Sequence, residues 1–125
     1  MTGSFAVLVG SLPLPLLVGL GGALGALGRY AADAALGGGR RSTVAVNVIG
    51  SVALGALVAS SPSDATLALA GTGFCGAFTT FSSFAVNVVR AADTGDYRLA
   101  AADALGTLAT ALLGVGIGWW LAGFW

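Results

Sequence analysis

The sequence predicts an all-α membrane protein of four transmembrane helices, the third of them broken. Three observations carry that prediction. Of 125 residues, 57% are hydrophobic and only 8% are charged, where a soluble domain carries about 25% charged residues. The apolar residues fall into four stretches close to the roughly 20 residues that cross a bilayer, separated by turns rich in Gly, Pro, Ser and Asp. Inside the third stretch, Gly71, Gly73 and Gly76 and the hydroxyls of Thr79, Thr80, Ser82 and Ser83 interrupt a run otherwise fit for lipid. Glycine costs a helix interior roughly 1 kcal/mol against alanine, and hydroxyls offer freed backbone groups another partner. Backbone that leaves the helical ladder at membrane depth is tolerated only inside protein or beside a polar cavity. The interrupted stretch is therefore expected to hold an ion or to line its path.

Composition also narrows what the chain can be. The length leaves room for a single domain, residues 1–125, and no separate catalytic unit. The formal charge of zero gives no reason to expect a nucleic-acid or acidic partner. Histidine and glutamate are absent, so no nucleophile–base pair or metal-ligating side-chain cluster can be assembled, and an enzyme is not expected. Cys75 is the single cysteine and makes no intrachain disulfide. The start, Met1 to Phe5, has no basic residue before its apolar run, unlike a cleaved signal peptide.

Taken in order, residues Met1 to Leu12 form an apolar, uncharged lead that receives no structural assignment. Pro13 and Pro15 suit the first turn of a helix, and the first span is expected over about residues 14–33. Its Gly21 and Gly25 have the four-residue spacing that lets two helices approach closely in lipid. Gly37-Gly38-Gly39-Arg40-Arg41 is a turn. Ser42 or Thr43 is expected to cap the second span, about 43–60, which contains Asn47, Gly50, Ser51 and Gly55. After Ser61-Pro62-Ser63, Asp64 is favourable at a helix N-terminus, and the third span follows over about 65–90. Residues Ala92 to Asp96 turn the chain into the fourth span, about 98–122, whose far end carries Trp119, Trp120 and Trp125 as an aromatic belt. All five basic residues, Arg29, Arg40, Arg41, Arg90 and Arg98, fall at or near the side of the Gly38 and Gly95 turns. The positive-inside rule puts those turns in the cytoplasm and both termini outside, in a multi-pass protein of the plasma (cell inner) membrane.

The run from Gly73 to Phe84, Gly-Phe-Cys-Gly-Ala-Phe-Thr-Thr-Phe-Ser-Ser-Phe, closely resembles the third-span signature of the CrcB/Fluc family of bacterial fluoride channels. Gly21 to Tyr30 looks like that family's first-span glycine run ending in arginine, and Val46-Asn47-Val48-Ile49-Gly50 like its second-span asparagine motif. The resemblance implies an antiparallel dimer with two pores and a structural sodium ion at the dimer centre. By that resemblance the backbone carbonyls of Gly76 and Thr79 are the sodium ligands, and Phe81 and Phe84 are the rings along the fluoride path. Asn47 matches the pore asparagine, Ser82 or Ser83 lies nearby, Thr107 falls on the fourth-span pore position, and Arg29 belongs to a vestibule.

Elementary chemistry agrees. Fluoride is small and tightly hydrated, so a pore must replace its water with neutral donors such as Asn NH₂ and Ser or Thr OH, or with the positive edges of aromatic rings. Phe81 and Phe84 are three apart and share a helix face. Without the motif around them, the two rings read as packing or lipid contact, Asn47 as interhelical glue, and Arg29 as a snorkelling side chain.

Two positions depart from the family pattern. Asn87 stands where glutamate is common, and Asp103 stands one turn before Thr107, where an anion path needs it paired, protonated or turned away. Arg29 or Arg90 is the expected partner of Asp103. An antiparallel homodimer needs nearly balanced positive charge, and five arginines on one side point instead to a heterodimer with an oppositely oriented paralogous subunit. The function expected is a fluoride-selective channel that lets fluoride leave the cytoplasm and lowers its toxicity. One alternative is a non-conducting subunit that completes a partner's channel. A second, a small four-span drug exporter, needs a carboxylate deep in a span, and no Asp lies there.

Overall fold

The computed structural model describes residues 2–125, so Met1 lies outside the described residues. The chain is all helix and turn: α1 (Thr2–Ser11), α2 (Leu14–Leu36), α3 (Gly39–Ala59), α4 (Asp64–Thr66), a π-helical stretch (Leu67–Cys75), α5 (Gly76–Phe78), α6 (Phe81–Asp93) and α7 (Tyr97–Ala122). Four spans are long and apolar enough to cross a membrane: Leu14–Leu36, Gly39–Ala59, Asp64–Asp93 and Tyr97–Ala122. The unassigned lead forms a helix, α1, which ends at Ser11, two residues before Pro13. Its ten residues reach about 15 Å, too short to cross.

The turn between the first two spans differs from expectation. Neither Ser42 nor Thr43 caps the second span. Gly37, Gly38 and Gly39 all take positive φ (76°, 67° and 68°), which lets α2 run on to Leu36 and α3 begin at once at Gly39. Only glycine adopts that sequence of left-handed residues without strain. Ser42, fully buried, instead donates its hydroxyl to the Asp33 carboxylate, and Thr43 donates to the Gly39 carbonyl at 3.0 Å. The later ends follow ordinary capping: Ser63 accepts from the Thr66 N–H, with Asp64 in the first turn, and Asp96 accepts from the Leu99 N–H.

The packing core lies where small residues let backbones meet. A Cβ added to Gly21 or Gly25 would strike the backbone carbonyls of Leu69 or Phe74, and one on Gly73 would sit 2.7 Å from the Val18 carbonyl oxygen. The first span is thereby seated on the π-helical stretch. The second and fourth spans meet in the same way, Gly55 against the Val115 carbonyl and Gly118 against that of Val52. In lipid, where apolar burial drives little association, such close backbone contact supplies the dispersion energy that holds helices together. Trp119, Trp120 and Trp125 are exposed at the end of α7, with Trp120 edge-on to Phe124 at 4.6 Å between centroids.

Candidate functional site

The middle of the third span is the least regular backbone in the chain. From Leu67 the helix widens to π geometry, and the Gly76 N–H reaches the Gly71 carbonyl five residues back. α5 then stops, and Thr79 (φ −78°, ψ 163°) and Thr80 (φ −146°, ψ 117°) are extended before α6 begins. The local chemistry explains why. The Thr79 hydroxyl donates back to the Cys75 carbonyl at 2.9 Å, beside the Thr79 N–H at 3.1 Å. The Thr80 hydroxyl caps α6 by accepting from the Ser83 N–H at 3.2 Å.

Asn47 completes this arrangement from the second span. Its Oδ1 accepts from the Thr80 N–H at 2.8 Å and its Nδ2 donates to the Thr80 carbonyl at 3.1 Å. One carboxamide thus satisfies both backbone groups of a residue outside the ladder, and one of its two N–H donors stays uncommitted to Thr80. Regular helix would send the Thr80 N–H to Gly76 and the Ser83 N–H to Thr79. Both donors turn elsewhere, to Asn47 and to the Thr80 hydroxyl. The break leaves the carbonyls from Gly76 to Thr79 without their ladder donors, and Gly76 and Thr79 are the first and last of these four. Oxygen donors of this kind suit a hard cation.

Beside this backbone lies an open groove of ≈ 550 Å³. Asn47, Gly76, Thr79, Phe81, Phe84 and Thr107 all line it, so six of the residues singled out in the sequence converge from three spans. Phe81 and Phe84 have ring centroids 5.6 Å apart with planes tilted by 49°. Phe81 is 78% exposed, while Thr107 is buried. Ser82 and Ser83 are not in the lining; their hydroxyls lie 3.3 and 3.1 Å from that of Thr80, in the first turn of α6. Arg29 is also outside the lining, and its Nη1 donates to the Thr79 carbonyl at 3.2 Å.

The structure corrects the partner of Asp103. It is neither Arg29 nor Arg90 but Arg40, whose Nε lies 2.6 and 2.8 Å from the two carboxylate oxygens. The glycine turn starts α3 early enough to put Arg40 across from α7. Asp103 is 7% exposed and so presents no bare charge toward Thr107 one turn away. Asn87 donates to the Thr43 hydroxyl at 3.3 Å, tying α6 to α3. Sequence reasoning did not place Ser51 or Thr72 in the groove, although both line it. Ser51 was findable, being one turn beyond Asn47 on the same face of α3; Thr72 was not, because π geometry changes which residues share a face.

Four membrane-length helices, three of which line a groove that carries neutral donors and two aromatic rings, define a small multi-pass membrane protein. The chain belongs to the CrcB-like protein family, Camphor Resistance (CrcB), whose model matches residues 16–119. It is 48% identical over 103 residues to the "Fluoride-specific ion channel FluC 2" of Natronomonas pharaonis, covering 82% of this chain and 89% of that one. It is 44% identical over 123 residues to the "Fluoride-specific ion channel FluC 1" of Halobacterium salinarum, covering 97% of this chain and 98% of that one. A FluC 2 of Haloarcula marismortui is 47% identical over 108 residues, covering 82% and 88%.

Proposed function

We propose that the chain is a subunit of a fluoride-selective ion channel that lets fluoride leave the cytoplasm and so lowers its toxicity. The observation that carries this reading is the groove in which Asn47, Thr107, Phe81 and Phe84 converge. The relatives' names, fluoride-specific ion channels, support the choice of ion. Fluoride entering such a groove exchanges water for the remaining Asn47 N–H, the Thr107 hydroxyl and the ring edges, whose quadrupole is positive. None of these groups carries a full charge. That suits conduction, which needs binding strong enough to admit an ion and weak enough to release it. Ser82 and Ser83 lie at the start of the ring ladder, where their hydroxyls can receive the anion.

The rest of the assembly follows from the same features. The third span is read as broken at Thr79–Thr80, and the diverted carbonyls of Gly76 and Thr79 support a structural sodium ion shared between two antiparallel subunits. When bound, that ion neutralises the partial charge of the carbonyls. Phe81, exposed beside an open groove into which Asn47 and Thr107 bring polar donors, supports burial against a partner. Arg40, Arg41, Arg90 and Arg98 share the end of the bundle with the turns at Gly38 and Gly95, and Arg29 lies in the half of its span nearer that end, which supports cytoplasmic turns and both termini outside. That one-sided charge favours a heterodimer with an oppositely oriented paralogue, and the numbering of the relatives as FluC 1 and FluC 2 is consistent with paired paralogues.

Fluoride efflux from liposomes tests the whole reading. The chain reconstituted with an oppositely charged paralogue is expected to release fluoride and retain chloride, and the chain alone is expected to release neither. Fluoride retained in both cases overturns the channel, equal chloride release overturns the selectivity, and efflux from the chain alone overturns the heterodimer.

A further inference from the structure

Arg29 occupies an odd position for a membrane arginine. It sits seven residues inside the end of α2, is only partly exposed, and gives Nη1 to a neutral backbone carbonyl, that of Thr79. Arg40, by contrast, has the carboxylate of Asp103. The placement is built in. Gly21 and Gly25 seat the first span on the π-helical stretch, and a Cβ on Gly28 would lie 3.2 Å from the ring of Phe78. The residue after Gly28 is thereby held beside the extended pair. The Ser83 N–H, the ordinary ladder donor to Thr79, is taken by the Thr80 hydroxyl, so the guanidinium is the donor this carbonyl receives.

We propose that Arg29 is the positioning residue of the extended pair: its guanidinium, bonded to the Thr79 carbonyl, supplies positive charge there from within the subunit and sets how tightly the assembled site holds its metal ion. This rests on the reading of Gly76 and Thr79 as cation ligands. A carbonyl oxygen has two lone pairs, so it accepts the guanidinium and a cation together. The two positive charges then lie within a few ångströms of each other. At the effective dielectric of a protein interior, like charges that close weaken binding by roughly tenfold or more. Arg29 thus aims the carbonyl while lowering its affinity for the ion. The lone subunit carries a surrogate positive charge, and a subunit lacking it depends more heavily on the metal.

The test is the thermal stability of the assembled channel, both subunits present, as sodium replaces N-methylglucamine at constant ionic strength. In R29Q, which keeps a donor but loses the charge, the half-saturating sodium concentration is expected to fall roughly tenfold. R29K, which keeps the charge, is expected to return it toward the wild-type value. The same sodium response in all three proteins overturns the role of Arg29 and leaves the cation site standing. Absence of any sodium response, wild type included, overturns both. Should R29Q fail to assemble, isotope-edited infrared spectra of the wild type decide the matter. With Gly76 and Thr79 carbonyls labelled in turn in sodium-free protein, a lower amide frequency at Thr79 supports the guanidinium bond, and coincident bands overturn it.

Discussion

The third span is made of two unlike halves. Its first half, from Asp64 to Phe78, presses backbone to backbone against α2 through Gly21, Gly25 and Gly73, and leaves no room even for a methyl group. Its second half, α6, leans on α7 with its side chains, ties to α3 through Asn87 and Thr43, and leaves Phe81 uncovered. The difference teaches where each kind of residue is used. Glycines stand where two backbones of the same chain must meet. Hydroxyls, a carboxamide and phenyl rings stand where the backbone leaves its ladder beside the open groove.

The largest expected effect comes from filling the tight half. Gly25→Val drives a branched side chain into the Phe74 carbonyl and is expected to cost at least about 3 kcal/mol; its sign is loss of monodisperse protein in detergent. At the junction, Asn47→Ala strips partners from the N–H and the carbonyl of Thr80. Each buried backbone group left unsatisfied costs about 1–3 kcal/mol, so thermal stability and efflux should fall together.

On the open half, replacing Phe81 and Phe84 together by isoleucine should leave the melting temperature nearly unchanged. Fluoride efflux should drop tenfold or more, about 1.4 kcal/mol on the barrier. Normal efflux from that variant would favour the non-conducting subunit. The smallest effect belongs to the pair that braces α7. Arg40→Gln leaves the buried carboxylate of Asp103 without its partner. Because Arg40 is itself 44% exposed, solvent screening holds the expected loss to about 1 kcal/mol. Asp103→Asn leaves only a hydrated arginine and should cost less, as equilibrium unfolding of the two variants would show.

Much of this was legible in the sequence. Hydropathy and turn residues place four spans to within a few residues, because lipid demands long apolar runs and short turns need Gly, Pro or Asp. The spacing of Gly21 and Gly25 correctly marks a close helix contact. That Asn47, Phe81, Phe84 and Thr107 would converge is readable only through the family motif, since taken singly the rings read as packing or lipid contact and Asn47 as interhelical glue. What escapes is whatever depends on partners distant in the chain. Nothing local says that Arg40 rather than Arg29 meets Asp103, 63 residues away. Nothing local says that Asn47 serves Thr80 first, or that Arg29 reaches a carbonyl. The start of α3 was misplaced because three successive left-handed glycines make a shorter turn than capping by Ser42 or Thr43 would.

The widened coil between Leu67 and Cys75 also acts as a phase setter. Each residue of ordinary α-helix advances the chain by about 100° around its axis, more than a residue of the wider coil, so winding the same nine residues as regular helix would carry all that follows further round by a fraction of a turn. Asn47 would then face the wrong atoms, and the two phenyl rings would rotate out of the cleft without any change in their own composition. Changes that straighten this stretch, touching none of Asn47, Thr107, Phe81 or Phe84, are thus expected to silence transport.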